Sequence, residues 1–290
     1  MAEKLIWGVP SFWIERFPLY YGKHKEFFLD QGIDLEVQYF WGGPELARAV
    51  DQGQVLIGEM GLPPFLKSFS EGLPARVIGS STIQQLDHFL VGQPGIKSLA
   101  DLKGKKIGIL SNGSCDDYFV RFMLRAASIE PDRDVEIVPL GSAYGRLETF
   151  ETGEVDAGFL VEPFVAQGED RGCVKVLATV KDYFPRYQWG IIFAHDRLLA
   201  ENPELVHRAM NSFRRACQAI KDNPEEAAVL GAQVFGLPQE IFLQAMLRGL
   251  ATWALDTKLD MEGMGNCLRI QAETGAIPAQ MDMSLMVHPM

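Results

Sequence analysis

The first third of the chain alternates short apolar runs with longer segments whose apolar residues recur at helical spacing. A strand is predicted over residues 4–9, and residues 33–39 alternate apolar with polar positions, as a half-buried strand does. A helix carrying residues 18–21 lies between them, and Gly32 ends that βαβ unit. The next elements are a helix over 45–51, a strand from 54–58, a helix over 63–71 and a strand over 75–81. This alternation predicts a doubly wound α/β fold.

The same pattern begins again in the second third of the chain. Strands are predicted at 107–110, 135–138 and 155–159, with helices at 118–127 and 145–151. Residues 51–58 (DQGQVLIG) match residues 151–158 (ETGEVDAG), with two glycines and a valine at the same relative positions. The repeat predicts two lobes of similar build. Ligands of such sheets bind at the carboxyl ends of the strands, here in a shared cleft.

The chain is expected to pass between the lobes twice. We place the crossings near residues 89–92 and 188–192, with a strand of the second lobe at 173–179 and a strand of the first at 191–194. Residues from 202 onward read as helices, several of them beginning near a proline. The first lobe is therefore predicted to comprise residues 1–90 plus 191–290, and the inserted second lobe residues 91–190. Two crossing strands form a hinge, and closure around a small molecule is the expected motion.

One turn carries candidate chemistry. Residues 103–118 (KGKKIGILSNGSCDDY) lead from a strand through a polar turn at 111–114 into a helix. Free backbone N–H groups at such a turn can face an anion or a polar ligand, although Ser114 would equally serve as an N-cap. Cys115 lies at the helix N-terminus, where a thiolate is stabilised, and is a candidate nucleophile. The other three cysteines are expected to be small buried residues.

Composition indicates a globular protein and argues against several classes of partner and site. The 290 residues are 47% apolar and 22% charged, which suits a globular protein large enough for two domains. The net charge of −11 and the absence of a basic patch argue against nucleic acid as a partner. The four cysteines form no CxxC pair, so the sequence predicts neither a metal site nor a cofactor. The apolar runs are shorter than the roughly 18 residues that a membrane span needs.

Several segments together resemble a known family, the type 2 periplasmic binding proteins of the NMT1-like subgroup, which serves sulfonates, nitrate, taurine and thiamine-pyrimidine precursors. These segments are residues 18–21 with 27–35, 71–78, 98–108, 153–158 with Glu162-Pro163, and 202–206. They occur in the family's order over residues 4–278. The resemblance implies two α/β lobes joined by a two-strand hinge.

The resemblance also implies where ligand contacts lie, because the family binds its ligands with loops that follow strands. The residues of the matching loops are Ser11, Phe12, Trp13, Trp41, Gly42, Glu59, Met60, His88, Asn112, Gly113, Ser114, Cys115, Tyr144, Glu162 and Trp189. In oxyanion binders of this family the cleft is usually neutral or basic. Glu59 and Glu162 differ from that pattern, because desolvated carboxylates repel an anion. An aromatic or nitrogen-heterocyclic solute, stacked on the aromatic members of this set and hydrogen-bonded to a carboxylate, fits better.

Each of these residues also has a structural interpretation. Trp13 and Trp41 would pack at the core edge, and Glu59 would pair with a nearby arginine such as Arg76 or Arg186. The Glu162-Pro163 pair would start a helix, and His88 would be a hydrogen-bonded structural histidine.

Three functions follow from the resemblance. The first is a monomeric receptor of an ABC importer, which binds a small organic solute and delivers it to a permease. The second is a cytosolic enzyme on the same fold, of the desulfinase, decarboxylase, lyase or pyrimidine-precursor synthase type, with Cys115, His88 and Glu59 as catalytic groups. A ligand-sensing half of a regulator ranks third. The N-terminus shows no secretory leader, so the location is periplasmic if a leader was removed and cytoplasmic otherwise.

Overall fold

The strands that the structure describes form two five-stranded sheets flanked by helices, which confirms the two-lobe α/β class. The computed structural model describes residues 2–10, 12–82, 88–141, 147–184, 186–249, 256–273, 275–278 and 280–288. We call the sheet that begins the chain, with its helices, the first lobe, and the other sheet with its helices the second lobe.

The first sheet has the order β2-β1-β3-β10-β4. Its strands are β1 (Glu3–Val9), β2 (Ile33–Tyr39), β3 (Ile57–Gly61), β4 (Ala75–Thr82) and β10 (Gly190–His195). β1 is parallel to β2 and β3, whereas β10 runs antiparallel to both of its neighbours. The antiparallel strand is therefore the one that returns from the other lobe.

The second sheet repeats this arrangement with the order β7-β6-β8-β5-β9. Its strands are β5 (His88–Gly92), β6 (Lys106–Ile109), β7 (Glu136–Pro139), β8 (Ala157–Val161) and β9 (Lys175–Thr179). Here β5 is the antiparallel strand, and it too arrives from the other lobe. β5 lies wholly in this sheet, so the chain has entered the second lobe by His88, just before the crossing expected near residues 89–92. The lobe boundaries at residues 90 and 190 stay a prediction.

The internal sequence repeat has a packing cause. Gly58 of β3 lies opposite Gly8, and Gly158 of β8 lies opposite Gly108, at equivalent places in the two sheets. A Cβ atom on Gly58 would approach the Gly8 carbonyl oxygen to 2.5 Å, and one on Gly158 would approach the Gly108 oxygen to 3.1 Å. The repeated glycine thus allows neighbouring strands to approach closely at the centre of each sheet.

Helices cover both sheets and form most of the C-terminal part. They are α1 (Phe17–His24), α2 (Gly43–Asp51), α3 (Leu62–Ser70), α4 (Cys115–Ala126), α5 (Glu148–Glu151), α6 (Phe164–Asp170), α7 (Val180–Tyr183), α8 (Asp196–Glu201), α9 (Pro203–Asp222), α10 (Pro224–Phe235), α11 (Gln239–Gly249), α12 (Met261–Glu273) and α13 (Met283–Met286). Within the described ranges, none of these helices is long and apolar enough to cross a membrane.

The long helix α9 anchors the first lobe. Pro203 at its first position fixes the starting φ, and the Asn202 side chain accepts a hydrogen bond from the Leu205 N–H. Its apolar face packs on β1, where Phe213 stacks on Trp7 with ring centroids 5.7 Å apart. Both rings are fully buried, so this contact contributes to the stability of the lobe.

Replacing Phe213 with alanine should lower the free energy of unfolding by about 3–5 kcal/mol, because it leaves a cavity against Trp7. Urea denaturation of the wild-type and F213A proteins measures the difference. The control is Leu285→Ala, at a side chain that is 63% exposed, which should change stability by less than about 0.5 kcal/mol. Equal effects of the two substitutions would contradict this packing assignment.

Candidate functional site

A group of charged side chains is buried where the two lobes meet. Glu15 and Arg16 follow β1, Glu59 lies in β3, and His88 begins β5. All four side chains are at most 3% exposed. We call these four residues the buried cluster. Three of them come from the first lobe and His88 from the second, so the cluster spans the cleft.

The members of the buried cluster are close but loosely paired. Arg16 Nη1 lies 3.5 Å from Glu15 Oε2 and 3.4 Å from Glu59 Oε2, and His88 Nδ1 lies 3.9 Å from Glu15 Oε1. Charge-assisted N–H···O bonds are usually about 2.7–2.9 Å long. Trp189 Nε1 donates a proper hydrogen bond of 2.9 Å to Glu15 Oε1. Glu15 is thus held in place, whereas Arg16 and Glu59 leave bonding capacity unused.

Unpartnered polar atoms are concentrated in this cluster. Among the residues that the structure describes, Arg16 Nε and Nη1, both Glu59 oxygens, both His88 ring nitrogens and Glu15 Oε2 have no hydrogen-bond partner. A buried polar atom left unpaired costs about 1–3 kcal/mol, and such atoms are rare in folded proteins. A polar solute that supplied the missing partners would therefore be stabilised here.

Burial governs protonation in the cluster. It raises the pKa of Glu15 to about 7, with Arg16 opposing the shift and Glu59 adding to it. It also raises the pKa of Glu59, against the opposing effects of Arg16 and the Ser81 hydroxyl. Burial, together with Arg16, lowers the pKa of His88 well below its ordinary value, so the imidazole is neutral. The cluster contains two carboxyls and a single permanent cation.

Aromatic side chains surround the buried cluster. Trp13 contacts the His88 ring edge-on at 5.1 Å, and the His88 and Trp189 rings lie 4.0 Å apart. Trp189 also stacks on Phe119 of α4 at 5.1 Å. Trp13 and Trp189 are both buried. The cleft therefore combines flat apolar walls with polar groups at their edge, an arrangement typical of small-molecule sites.

The cleft between the lobes is narrow. A cavity of about 20 Å³ is lined by Trp13, Arg16 and Gly61 on one side and by Cys115 and Asp116 on the other. Sites for organic ligands usually measure about 300 Å³ or more, so a solute enters only when the lobes move apart. A larger groove of about 360 Å³ also lies between the lobes, lined by α2 and α3 of the first lobe and by residues 112–113 of the second. None of the described residues lining that groove is a buried unpartnered polar group, so we place the candidate site at the buried cluster.

Glycines permit the lobes to touch along the cleft. A Cβ atom on Gly61 would lie 2.2 Å from Cys115 Sγ, and one on Gly42 would lie 2.7 Å from Ser111 Oγ. Gly42 also has a φ of 96°, which suits glycine. On the opposite side, the Ile14 N–H donates to the Glu162 carbonyl oxygen at 3.3 Å. The contact surface of the two lobes thus depends on small residues.

The structure brings together part of the set expected from the sequence. Trp13, Glu59, His88 and Trp189 meet at the buried cluster, and Gly42, Ser114 and Cys115 line the small cavity beside it. Met60 is fully buried in β3. Ser11 and Tyr144 lie outside the described residues.

Two expected aromatic contacts lie elsewhere. Phe12 stacks on Phe235 at 4.4 Å and meets Tyr20 and Tyr39 edge-on, so it belongs to an aromatic group of the first lobe. The Trp41 side chain is 53% exposed, which places it at the surface instead of within the cluster.

The polar turn at residues 111–114 has mainly a structural role. Asn112 and Gly113 are exposed, and the Gly113 N–H donates to an Asp117 carboxylate oxygen at 2.7 Å. Ser114 is the N-cap of α4, and its hydroxyl donates to the Ser111 carbonyl at 2.6 Å. The expectation of a stabilised thiolate at Cys115 is wrong, because burial and Asp116 raise the pKa of that thiol well above its ordinary value.

Glu59 has a partner other than those predicted, whereas the Glu162-Pro163 pair starts helix α6, as its structural interpretation predicted. Glu59 faces Arg16, not Arg76 or Arg186, which pair with Asp196 and Asp260 respectively. Contrary to the expected ligand contact, Glu162 Oε1 accepts from Arg248 at 2.7 Å and Oε2 from the Ala166 N–H at 3.1 Å. Glu162 thus joins α11 to the second lobe, and its oxygens are already occupied.

Sequence reasoning missed Glu15 and Arg16. Both occur within the apolar stretch FWIERFPLYY, residues 12–21, where an adjacent acid and base interrupt a run of large apolar residues. That interruption is the signal that could have identified them, because a charged residue is rarely buried without a partner. In the described part of the chain, no group of three His, Cys, Asp or Glu side chains could hold a metal ion.

Comparison with known proteins gives relatives that are mostly named as binding proteins. A protein of Candida albicans (strain WO-1) named as a 4-amino-5-hydroxymethyl-2-methylpyrimidine phosphate synthase is 23% identical over 228 residues, which are 72% of this chain and 65% of that protein. A protein of Brucella abortus (strain 2308) named as a binding protein is 29% identical over 205 residues, which are 70% of this chain and 62% of that protein. A protein of Escherichia coli (strain K12) named for aliphatic-sulfonate binding is 27% identical over 205 residues, with the same coverage. The chain thus spans less than two thirds of the length of these relatives.

The fold has close structural counterparts. The alkanesulfonate-binding protein from Xanthomonas axonopodis pv. citri, bound to MOPS, superposes with a TM-score of 0.83 over 100% of both chains at 18% identity. At that identity the likeness shows the shared fold alone. The family model described as NMT1/THI5 like matches residues 13–227. Because this match covers more than half of the chain, the protein belongs to the NMT1/THI5-like family.

Proposed function

We propose that the protein binds a small organic solute in the cleft between its lobes and acts as the substrate-binding component of an ABC-type importer. The observation that carries the proposal is the buried cluster, whose unpartnered polar atoms lie between aromatic walls where the lobes meet. The relatives named as binding proteins support it. A permease as partner, a monomeric state and a periplasmic location are parts of the same proposal.

The cleft favours an aromatic or nitrogen-heterocyclic solute. Trp13 and Trp189 offer flat apolar surfaces, and Glu59 offers two unpartnered acceptor oxygens. A simple oxyanion would face Glu15 and Glu59 with only Arg16 to offset them. The site residues of this proposal are Trp13, Arg16, Glu59, His88 and Trp189.

The test is a thermal-shift screen with sulfonates, pyrimidines, aromatic acids, amides and amines. A solute that binds only the native state at 100 times its Kd adds about 2.7 kcal/mol to stability, which raises the melting temperature measurably. Recovery of the solute unchanged after incubation is expected. A screen in which no solute raised the melting temperature would contradict the proposal.

An enzyme is the second candidate, and the unpartnered His88 and Glu59 side chains are the observation in its favour. Both could transfer protons to a solute in the cleft. The buried Cys115 thiol is poorly suited as a nucleophile because its pKa is raised. Consumption of a bound solute by the wild-type protein, abolished by His88→Ala with the fold intact, would establish this function in place of binding.

A large side chain at the contact between the lobes should hold the two lobes apart. In Gly61→Leu the new side chain meets Cys115 across the cleft, so we expect a larger radius of gyration in solution scattering. If the closed fraction falls tenfold, the affinity for a solute found in the screen falls about tenfold as well. Gly265→Leu is the matched control, because nothing lies within 4 Å of a Cβ atom there. Equal radii and affinities for the two variants would argue against closure at this contact.

The buried Glu15 should make stability depend on pH. Its pKa rises from 4.5 to about 7, so the folded protein binds the proton more tightly than the unfolded chain does. The resulting stabilisation is complete below pH 4.5 and is lost as the pH rises to about 7. Relative to Glu15→Gln, the wild-type protein should lose up to about 3 kcal/mol over this range.

Urea denaturation of the wild-type and E15Q proteins at several pH values measures this effect. Glu71→Gln, at an exposed side chain, serves as the control and should follow the wild-type curve. A wild-type to E15Q difference that is the same at every pH would show that Glu15 does not titrate in this range.

A further inference from the structure

Donor and acceptor atoms lie side by side in the buried cluster. Arg16 Nε and Nη1 and both Glu59 oxygens make no well-formed hydrogen bond, although the Ser81 hydroxyl lies near enough to Glu59 to lower its pKa. The nearest approach between the two side chains is 3.4 Å, from Nη1 to Oε2. A guanidinium and a carboxylate in direct bidentate contact would satisfy each other at about 2.8 Å. This pair instead leaves both partners open to a third group.

The charges of the cluster select against ionic solutes. Arg16 is the permanent cation of the cluster, and burial raises the pKa of both carboxyls beside it, so the cluster offers no fixed excess charge to an ion. Ser81 on β4 and the neutral His88 on β5 add no further charge beside the pair. An ionic solute would therefore be buried here without a counter-charge, whereas a neutral solute avoids that cost, provided that it carries a donor and an acceptor of its own.

The walls of the cleft select for shape. The Trp13 and His88 ring centroids lie 5.1 Å apart and the His88 and Trp189 centroids 4.0 Å apart, each pair edge-on, and Phe119 stacks on Trp189. Planar groups stack on such surfaces, so a flat solute would gain contact area when the lobes close. Flatness and an adjacent donor and acceptor are combined in the amide group.

We propose that the cleft binds a flat, neutral solute with an amide-type edge, as in an aromatic carboxamide or lactam. Glu59 accepts the N–H of that edge, and Arg16 donates to its carbonyl oxygen. Glu15, fixed by Trp189 at 2.9 Å, positions Arg16 from the other side. This inference rests on the proposed function, because it names the class of solute that the interlobe site takes.

The test compares five probes that share one ring and differ at one edge. Benzamide and isoindolin-1-one have both donor and acceptor, benzoate is an anion, benzamidine is a cation with donors only, and acetophenone has the acceptor only. Isothermal titration calorimetry with the wild-type protein should show the two amides binding at least about tenfold more tightly than the other three. Binding of benzoate or benzamidine as tight as that of the amides would overturn the proposal.

A protein variant tests the role of Glu59 separately. Glu59→Leu removes the acceptor and should weaken benzamide at least about tenfold, while acetophenone, which has no N–H, changes less than about threefold. Equal losses for the two probes would overturn the assignment of Glu59. Circular dichroism and the melting temperature establish that E59L folds. If E59L does not fold, the wild-type protein still provides the test. Equal affinities of the wild-type protein for acetophenone and benzamide would then overturn the assignment of Glu59.

Failure of the proposed amide class can be told from failure of the proposed function. If all five probes fail while a sulfonate or another solute of the screen binds, the amide class is wrong and the receptor function stands. If no solute binds at all, both proposals are wrong. Glu71→Gln, an exposed substitution on α3's C-terminal side, is the control for all titrations and should leave every affinity unchanged.

Discussion

The interior of this protein depends on the ion pairs that the buried Arg16 guanidinium makes with two carboxyl groups. The guanidinium lies between the Glu15 and Glu59 carboxyls, 1% exposed, at the place where the two lobes meet. Removing one partner from a buried ionic group generally costs several kcal/mol, because the remaining charge stays buried. Two aromatic side chains are arranged around this group. Trp189 donates a hydrogen bond to Glu15, and His88 packs on Trp189. The side chains that pack at this junction are therefore also those of the proposed binding site.

The two lobes contact each other through glycines on one side and an ion pair on the other. Along the cleft the surfaces touch at Gly42 and Gly61, where side chains would collide with Ser111 and Cys115. On the far side the lobes are joined by the Arg248 to Glu162 ion pair. Small residues thus line the contact at Gly42 and Gly61, and an ion pair joins the lobes at Glu162. In the closure that we propose, the first contact separates while the second holds.

The fold could be predicted from the sequence, because the spacing of apolar residues and the internal repeat both reflect backbone geometry. The repeated glycine at residues 58 and 158 indicated two similar sheets, and both glycines do lie at the centre of a sheet. The site was predicted only in part. Trp13, Glu59, His88 and Trp189 come together, but Arg16 was missed because its partner in β3 is more than forty residues away. Side-chain pairing across elements leaves no periodic trace, so Glu59 was assigned to the wrong arginines, and the pairing of Glu162 with Arg248 was not predicted.

The strand order has a consequence for how the chain folds. β10 lies between β3 and β4, so β4 joins the first sheet only through a strand that comes more than one hundred residues later. The first lobe therefore cannot complete its sheet until the whole second lobe has been synthesised. Such non-local pairing slows folding and leaves strand edges exposed in the meantime. During translation, the second lobe, whose five strands are contiguous in sequence, is the part of the chain able to form its sheet first.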